Sequence, residues 1–260
     1  MTFSKWLLMS TAGAVTFAAP AMAQMTDTAA PQAEGEDTII VTARRQNERL
    51  QDVPASVAVI TAEVIGRTGA TEAEDFVRLT PGITIVTGTA EAGDTQINIR
   101  GINGARDAES SVALVVDGIL KTNTAQLNQP QGTLRQVEML KGPQGAIYGR
   151  NAAAGAIVIQ TLKPTDTLTG AAKLSYGEYN TWESTAHIAG PLGAGAGFVL
   201  SGYASKSDGF YRNVFTDSKT VDDKQNWALD GRILVGEGGP TQIDLKARYA
   251  EFSGASLPFN

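Results

Sequence analysis

The strongest chemical signal in the sequence is KGPQGAIYGRN at 141–151, where three glycines follow a lysine. Glycine-rich turns beside a cation can cradle phosphates. A phosphate loop needs G-x-x-x-x-G-K-[ST], however, and here the lysine precedes the glycines with no hydroxyl after it at the required place. Gly142, Gly145 and Gly149 instead suit tight turns and close backbone approach. The acid pairs Asp222-Asp223 and Glu34/Glu36 lie in polar stretches where solvated charge is the default. His187 stands in an alternating run without a nearby serine motif, and there is no nucleophile elbow. Cysteine is absent and histidine occurs once, so disulfides, thiolate chemistry and sites needing two imidazoles are excluded. These residues imply no catalytic, cofactor or metal site, and the chain does not read as an enzyme.

The chain has 260 residues, of which 42% are hydrophobic and 18% charged, enough to bury a core. Its 27 acidic against 21 basic side chains leave no cationic surplus for phosphates, which argues against nucleic acid. Met1 to Ala23 reads as a signal peptide, with Lys5 in the n-region, an apolar run from Trp6 to Ala19 and Ala21-Met22-Ala23 as the cleavage site. Residues 24–36 are small, polar and acidic, a flexible tail. The β-branched island DTIIVTA, Asp37 to Ala43, looks like a strand with no partner close in sequence, built to pair with something else.

From Val53 to Pro164 short strand signals (56–60, 83–87, 96–100, 111–117, 137–140 and 156–161) interleave with a helix from Thr71, capped by Thr71 and Glu74. This is an α+β domain. Beyond Pro164 the period becomes two. Ala172, Leu174 and Tyr176 alternate with Ala171, Lys173 and Ser175, and Trp182, Ala186 and Ile188 with Glu183, Thr185 and His187. A third run covers 197–207. The last two set Trp227, Leu229, Ile233 and Val235 against Asp230 and Arg232, then Ile243, Leu245, Ala247 and Tyr249 against Asp244, Lys246 and Arg248. Glycine-rich turns at 191–196 and 236–240 contrast with a long polar connection at 207–225. This is the pattern of a transmembrane barrel rather than a soluble sandwich, with Tyr176, Trp182, Tyr203, Trp227, Tyr249 and Phe252 placed for interfacial girdles. Five strands cannot close such a barrel, so the chain reads as the front of something longer; a truncated product or a stand-alone periplasmic plug module without transport is the alternative.

Three segments resemble the TonB-dependent outer-membrane receptor family: DTIIVTA with ARRQNERLQDVPASVAVIT; INIRGI at 97–102 with VALVVDGI at 112–119; and VEMLKGPQGAIYGRNAAAGAIVIQTLKP at 137–164. The resemblance implies a plug domain over residues 44–165 and, over 166–260, the first strands of a barrel that in the family has about 22. It implies that Asp37, Thr38, Ile39, Ile40, Val41, Thr42 and Ala43 form a TonB box, accessible for β-augmentation by the periplasmic domain of TonB, which ExbB and ExbD energise. It further implies that Arg100 and Arg150 lock the plug to barrel glutamates beyond Asn260 and that Gly101, Gly142, Gly145 and Gly149 shape plug turns. The segments 88–95 and 103–109 become candidate ligand loops. The expected protein is an outer-membrane receptor, in contact with lipid, importing a scarce solute such as a ferric siderophore without a cofactor.

Overall fold

The computed structural model describes residues 39–254 except 43, 69, 71–72, 88–94, 103–108, 123–126, 128–132, 194, 212–213 and 216–221. Ile40–Val41 (β1) pairs antiparallel with Glu48–Arg49 (β2), followed by a single 3-10 turn at Leu50–Asp52. Then come β3 (Ser56–Thr61), α1 (Ala62–Thr68), α2 (Ala73–Arg78), β4 (Ile83–Thr87), β5 (Thr95–Ile99), β6 (Val112–Val116), β7 (Ile119–Lys121), β8 (Leu134–Lys141), α3 (Gly145–Tyr148) and β9 (Gly155–Thr161). The main sheet has the order β3-β8-β9-β6-β7, with β6 and β9 parallel and the other neighbours antiparallel.

This sheet is buried on both faces. Alternation along β6, β8 and β9 sends Val112, Leu114, Val137, Met139, Ile157 and Ile159 to one side, where Phe76 and Val77 of α2 and Ile83, Ile97 and Ile99 of the β4–β5 hairpin cover them. Ala113, Val115, Leu140, Ala156 and Val158 point the other way, against Tyr148 of α3 and Ala152. Near-continuous apolar runs are what a strand buried on both sides requires, and each fully buried Ile, Leu or Phe contributes about 1.5–3 kcal/mol. Gly155 marks the tightest approach: a Cβ there would run into the Leu140 carbonyl oxygen and lie 2.8 Å from Ile99 Cδ1. The sequence pattern did not single it out. The helix expected from Thr71 is present as α2, but Thr71 itself lies outside the described residues. The helix α1 was not anticipated, since Val64, Ile65 and Thr68 are β-branched and Gly66 sits mid-helix.

The second sheet is a five-stranded antiparallel meander of β10 (Thr169–Gly177), β11 (Thr181–Gly193), β12 (Ala196–Ser207), β13 (Lys224–Val235) and β14 (Ile243–Gly254). Its register puts Val199, Ser201, Tyr203, Ala228, Asp230, Arg232, Lys246 and Arg248 on one face, along with His187, which sits opposite Ser201. On that face Val199, Ser201, Tyr203, Ala228 and Arg232 are buried. Leu174, Tyr176, Ile188, Leu200, Leu229, Ile233, Leu245 and Tyr249 occupy the opposite face and are exposed. The expected apolar-out, polar-in alternation is thus present. Two of the aromatics assigned to girdles are not on the apolar face: Tyr203 is buried opposite Ala228, and Phe252 lies opposite Asn226 on the polar side. Strand parity overrides proximity to a strand end. Asp222 is likewise not a free loop charge, since its carboxylate accepts the backbone N–H groups of Phe210 at 2.8 Å and Tyr211 at 3.0 Å. Among the described residues no helix is long and apolar enough to cross a membrane.

Candidate functional site

Of the seven residues expected to form a TonB box, Ile39 to Thr42 are described; Asp37, Thr38 and Ala43 lie outside the described residues. The strand does have a partner close in sequence, which corrects the expectation. The chain reverses at Arg45, whose φ of 60° lies in the left-handed region, and the Arg45 N–H donates to the Thr42 carbonyl at 2.8 Å. Ile40 and Val41 then face Arg49 and Glu48, and the Leu50 N–H donates to the Ile39 carbonyl at 2.9 Å. Glu48 and Arg49 carry no β-branched signal, which is why this strand was invisible in the pattern.

Nor is the segment fully accessible. Val41 is 1% exposed, whereas Ile40 remains 44% exposed. The polar side of the dock is a buried carboxylate. Glu138 on β8 is fully buried on the sheet face that also carries Leu140. Both of its carboxylate oxygens lie 2.9 Å from the Thr42 N–H, and Oε1 also accepts from Thr42 Oγ1 at 3.2 Å. Gln136 Nε2 donates to Glu138 at 3.0 Å and to the Ile40 carbonyl at 3.0 Å. Gln160 Nε2, across the β8–β9 ladder from Gln136, donates to Glu138 and to Thr42 Oγ1. Hydrogen bonds to a charged group are each stronger than neutral ones, about 1.5–3 kcal/mol. Beside them the Arg45 guanidinium lies 5.6 Å from the centre of the Tyr148 ring. Burial, and secondarily the negative charge of Glu138, pushes the Tyr148 phenol up to about 12, with Arg45 opposing. No local pattern announces this dock, because it joins residues about a hundred positions apart.

The plug turns are set by glycines in part. Gly101, Gly142 and Gly149 have φ of 83°, 107° and 74°, whereas Gly145 opens α3 and a Cβ there would meet nothing within 4 Å. Arg100, with φ 53°, is exposed next to Gly101. Arg150 Nη1 is 3.2 Å from Glu109 Oε1 in a solvent-exposed pair within the same domain. Among the described residues neither arginine meets a strand of the second sheet. The two candidate ligand loops fall almost entirely outside the described residues.

Residues 49–156 match the family model described as the TonB-dependent receptor plug domain. The chain is 32% identical over 163 residues to the pesticin receptor of Yersinia pestis, covering 61% of this chain and 24% of that protein. It is 29% identical over 231 residues to the vitamin B12 transporter BtuB of Vibrio vulnificus, covering 87% of this chain and 35% of the relative. The ferric yersiniabactin uptake receptor FyuA of Yersinia pestis superposes with a TM-score of 0.69 at 24% identity, over 75% of this chain and 31% of that structure. The chain thus spans between a quarter and about a third of the length of these relatives. The chain thus carries a TonB-dependent receptor plug domain over residues 49–156, followed by a meander with one polar and one apolar face.

Proposed function

We propose that the chain is the receptor end of an energy-coupled outer-membrane importer, in which residues 37–43 are the handle passed to the periplasmic domain of TonB, itself driven through ExbB and ExbD. The observation that carries this reading is the dock of Ile39 to Thr42. A two-residue strand pairing, one carboxylate and two glutamine amides hold the segment, a small set of hydrogen bonds that a partner's sheet edge can replace by β-augmentation. In this reading residues 1–23 direct export, 24–36 form a periplasmic tail, and Arg100 and Arg150 meet glutamates of the completed wall. The exposed face bearing Leu174, Leu229 and Leu245 contacts lipid. The cargo we favour is a ferric siderophore, in line with the ferric yersiniabactin uptake receptor FyuA and the ferripyoverdine receptor of Pseudomonas aeruginosa, which share this fold.

Proline lacks the N–H that a strand pairing uses. In a receptor with a complete barrel, Ile40→Pro is expected to abolish energy-dependent accumulation of radiolabelled iron siderophore while leaving surface binding of the same complex unchanged. Uptake at the unmutated rate would refute the handle. Binding of haem or cobalamin instead of any siderophore would correct the cargo alone.

A further inference from the structure

The plug and the second sheet share no apolar core among the described residues: both buried clusters draw only on the segment from Val57 to Ile159. The joint between them is ionic. Arg232, on the inner face of β13 with its side chain 8% exposed, forks onto Asp244 of β14, Nε to Oδ1 at 3.0 Å and Nη2 to Oδ2 at 2.8 Å. Its remaining nitrogen, Nη1, crosses to the plug, donating to the Leu162 carbonyl at 3.0 Å and to Thr161 Oγ1 at 3.2 Å, and lying 4.0 Å from Asp117 Oδ1. Lys246 Nζ on β14 reaches Asp117 Oδ2 at 2.8 Å and Asp244 Oδ2 at 3.4 Å.

Asp117 itself is built into the plug. It occupies the β6–β7 turn with φ 47° and its side chain is 9% exposed. Its carboxylate accepts the Thr161 N–H at 2.9 Å and the Thr161 hydroxyl at 2.7 Å, so it ties the turn to the end of β9. One carboxylate therefore joins three elements: the turn, the last plug strand and the wall. Two acids and two bases make the cluster neutral, as a buried ion network must be if it is not to be strongly unfavourable. A pocket of about 330 Å3, lined by Asp117, Arg232 and Lys246 themselves together with Ile119, Val199 and Asp230, opens beside the cluster and leaves room for ordered water.

We propose that Asp117, Arg232, Asp244 and Lys246 form a clamp that retains the plug against strands β13 and β14. Its polarity, acid on the plug and base on the wall, is the reverse of that expected for Arg100 and Arg150. The clamp holds the β7 side of the main sheet, at the opposite edge from β3. It does not depend on the reading of residues 37–43.

The test uses a receptor with a complete barrel in a host lacking TonB, so that failure of the handle reading leaves it intact. Two rates are read: trypsin cleavage after Lys121, which lines the pocket at the joint, in outer-membrane vesicles, and passive entry of a large hydrophilic antibiotic into cells. Lys246→Met removes a wall cation while leaving the bonds between Asp117 and Thr161 in place, and both rates are expected to rise about tenfold. In an Asp117→Asn background the same substitution is expected to add little, because the partner charge is already gone. Unchanged rates in Lys246→Met, or an equal rise in both backgrounds, would overturn the clamp. If Asp117→Asn fails to reach the membrane, Lys246→Met alone decides.

Discussion

The two sheets of this chain solve burial in opposite ways. The plug sheet covers both faces with its own helices and hairpin, so that Leu140 and Ile157, on opposite faces of neighbouring strands, are both about fully buried. The second sheet buries only its polar face and turns Leu174, Leu229 and Leu245 outward. The difference teaches what each sheet packs against. Both apolar clusters of the plug are closed within the plug, and the ionic joint at Asp117 is a contact of a different kind, made by charged groups that the plug core does not use.

The sharpest way to break the comparison is to add one side chain to each sheet. Gly155→Val in the plug meets the Leu140 backbone and Ile99, and is expected to cost several kcal/mol, of the order of the larger overpacking penalties, leaving no protease-resistant plug. Gly231→Ala in the second sheet meets nothing within 4 Å and is expected to leave heat-modifiable migration of the barrel unchanged. Equal damage at both positions would mean that the two sheets are packed alike.

A smaller effect separates the apolar faces. Leu229→Arg on the outward face, 53% exposed, is expected to lower the stability of the lipid-inserted barrel by about 2–4 kcal/mol if Leu229 lies near mid-depth, measured by urea titration in phospholipid vesicles. A neutral result there would show that this face does not meet hydrocarbon.

The gentlest test is a titration of the plug. The folded-state pKa of Tyr148 is raised from 10.0 to about 12, so its proton stabilises the fold fully below about pH 10 and that contribution is lost as pH rises toward 12. Ultraviolet difference spectra are expected to show one phenol ionising late, and Tyr148→Phe to remove that phase and flatten the alkaline loss of plug stability. A late phase that survives in Tyr148→Phe would place the perturbed phenol elsewhere.

What was legible in the sequence follows the reach of each interaction. Periodicity is local, so the β-branched runs at 83–87, 111–117 and 156–161 appear as β4, β6 and β9 with boundaries within about a residue, and the period-two runs beyond Pro164 appear as the meander. Glu48–Arg49 escaped because its pairing is enforced by a left-handed Arg45 rather than by β propensity. Tyr203 was misplaced because aromatic type was read ahead of strand parity. Asp117 and Glu138 carried no local signal at all. The Asp117-Gly118 pair announces a turn, but only the tertiary register brings Lys246 to it, and nothing near Glu138 in sequence hints that Thr42 will cap it.

The plug's sheet order also constrains when the domain can form. β3 pairs with β8, Ser56 opposite Lys141, and the parallel pair sets Val112 opposite Gly155. Every neighbour of β3 and the central strand β9 therefore arrives late in the chain. As the polypeptide emerges from its N-terminal end, β3 must wait unpaired until β8, as far as Lys141, is available, and the central strand β9 follows later still. Such long-range closure is slow and leaves strand edges exposed meanwhile. An unpaired edge of this kind is open to wrong pairings until its partner is made, and β3, at one edge of the sheet, stays in that state until β8 captures it.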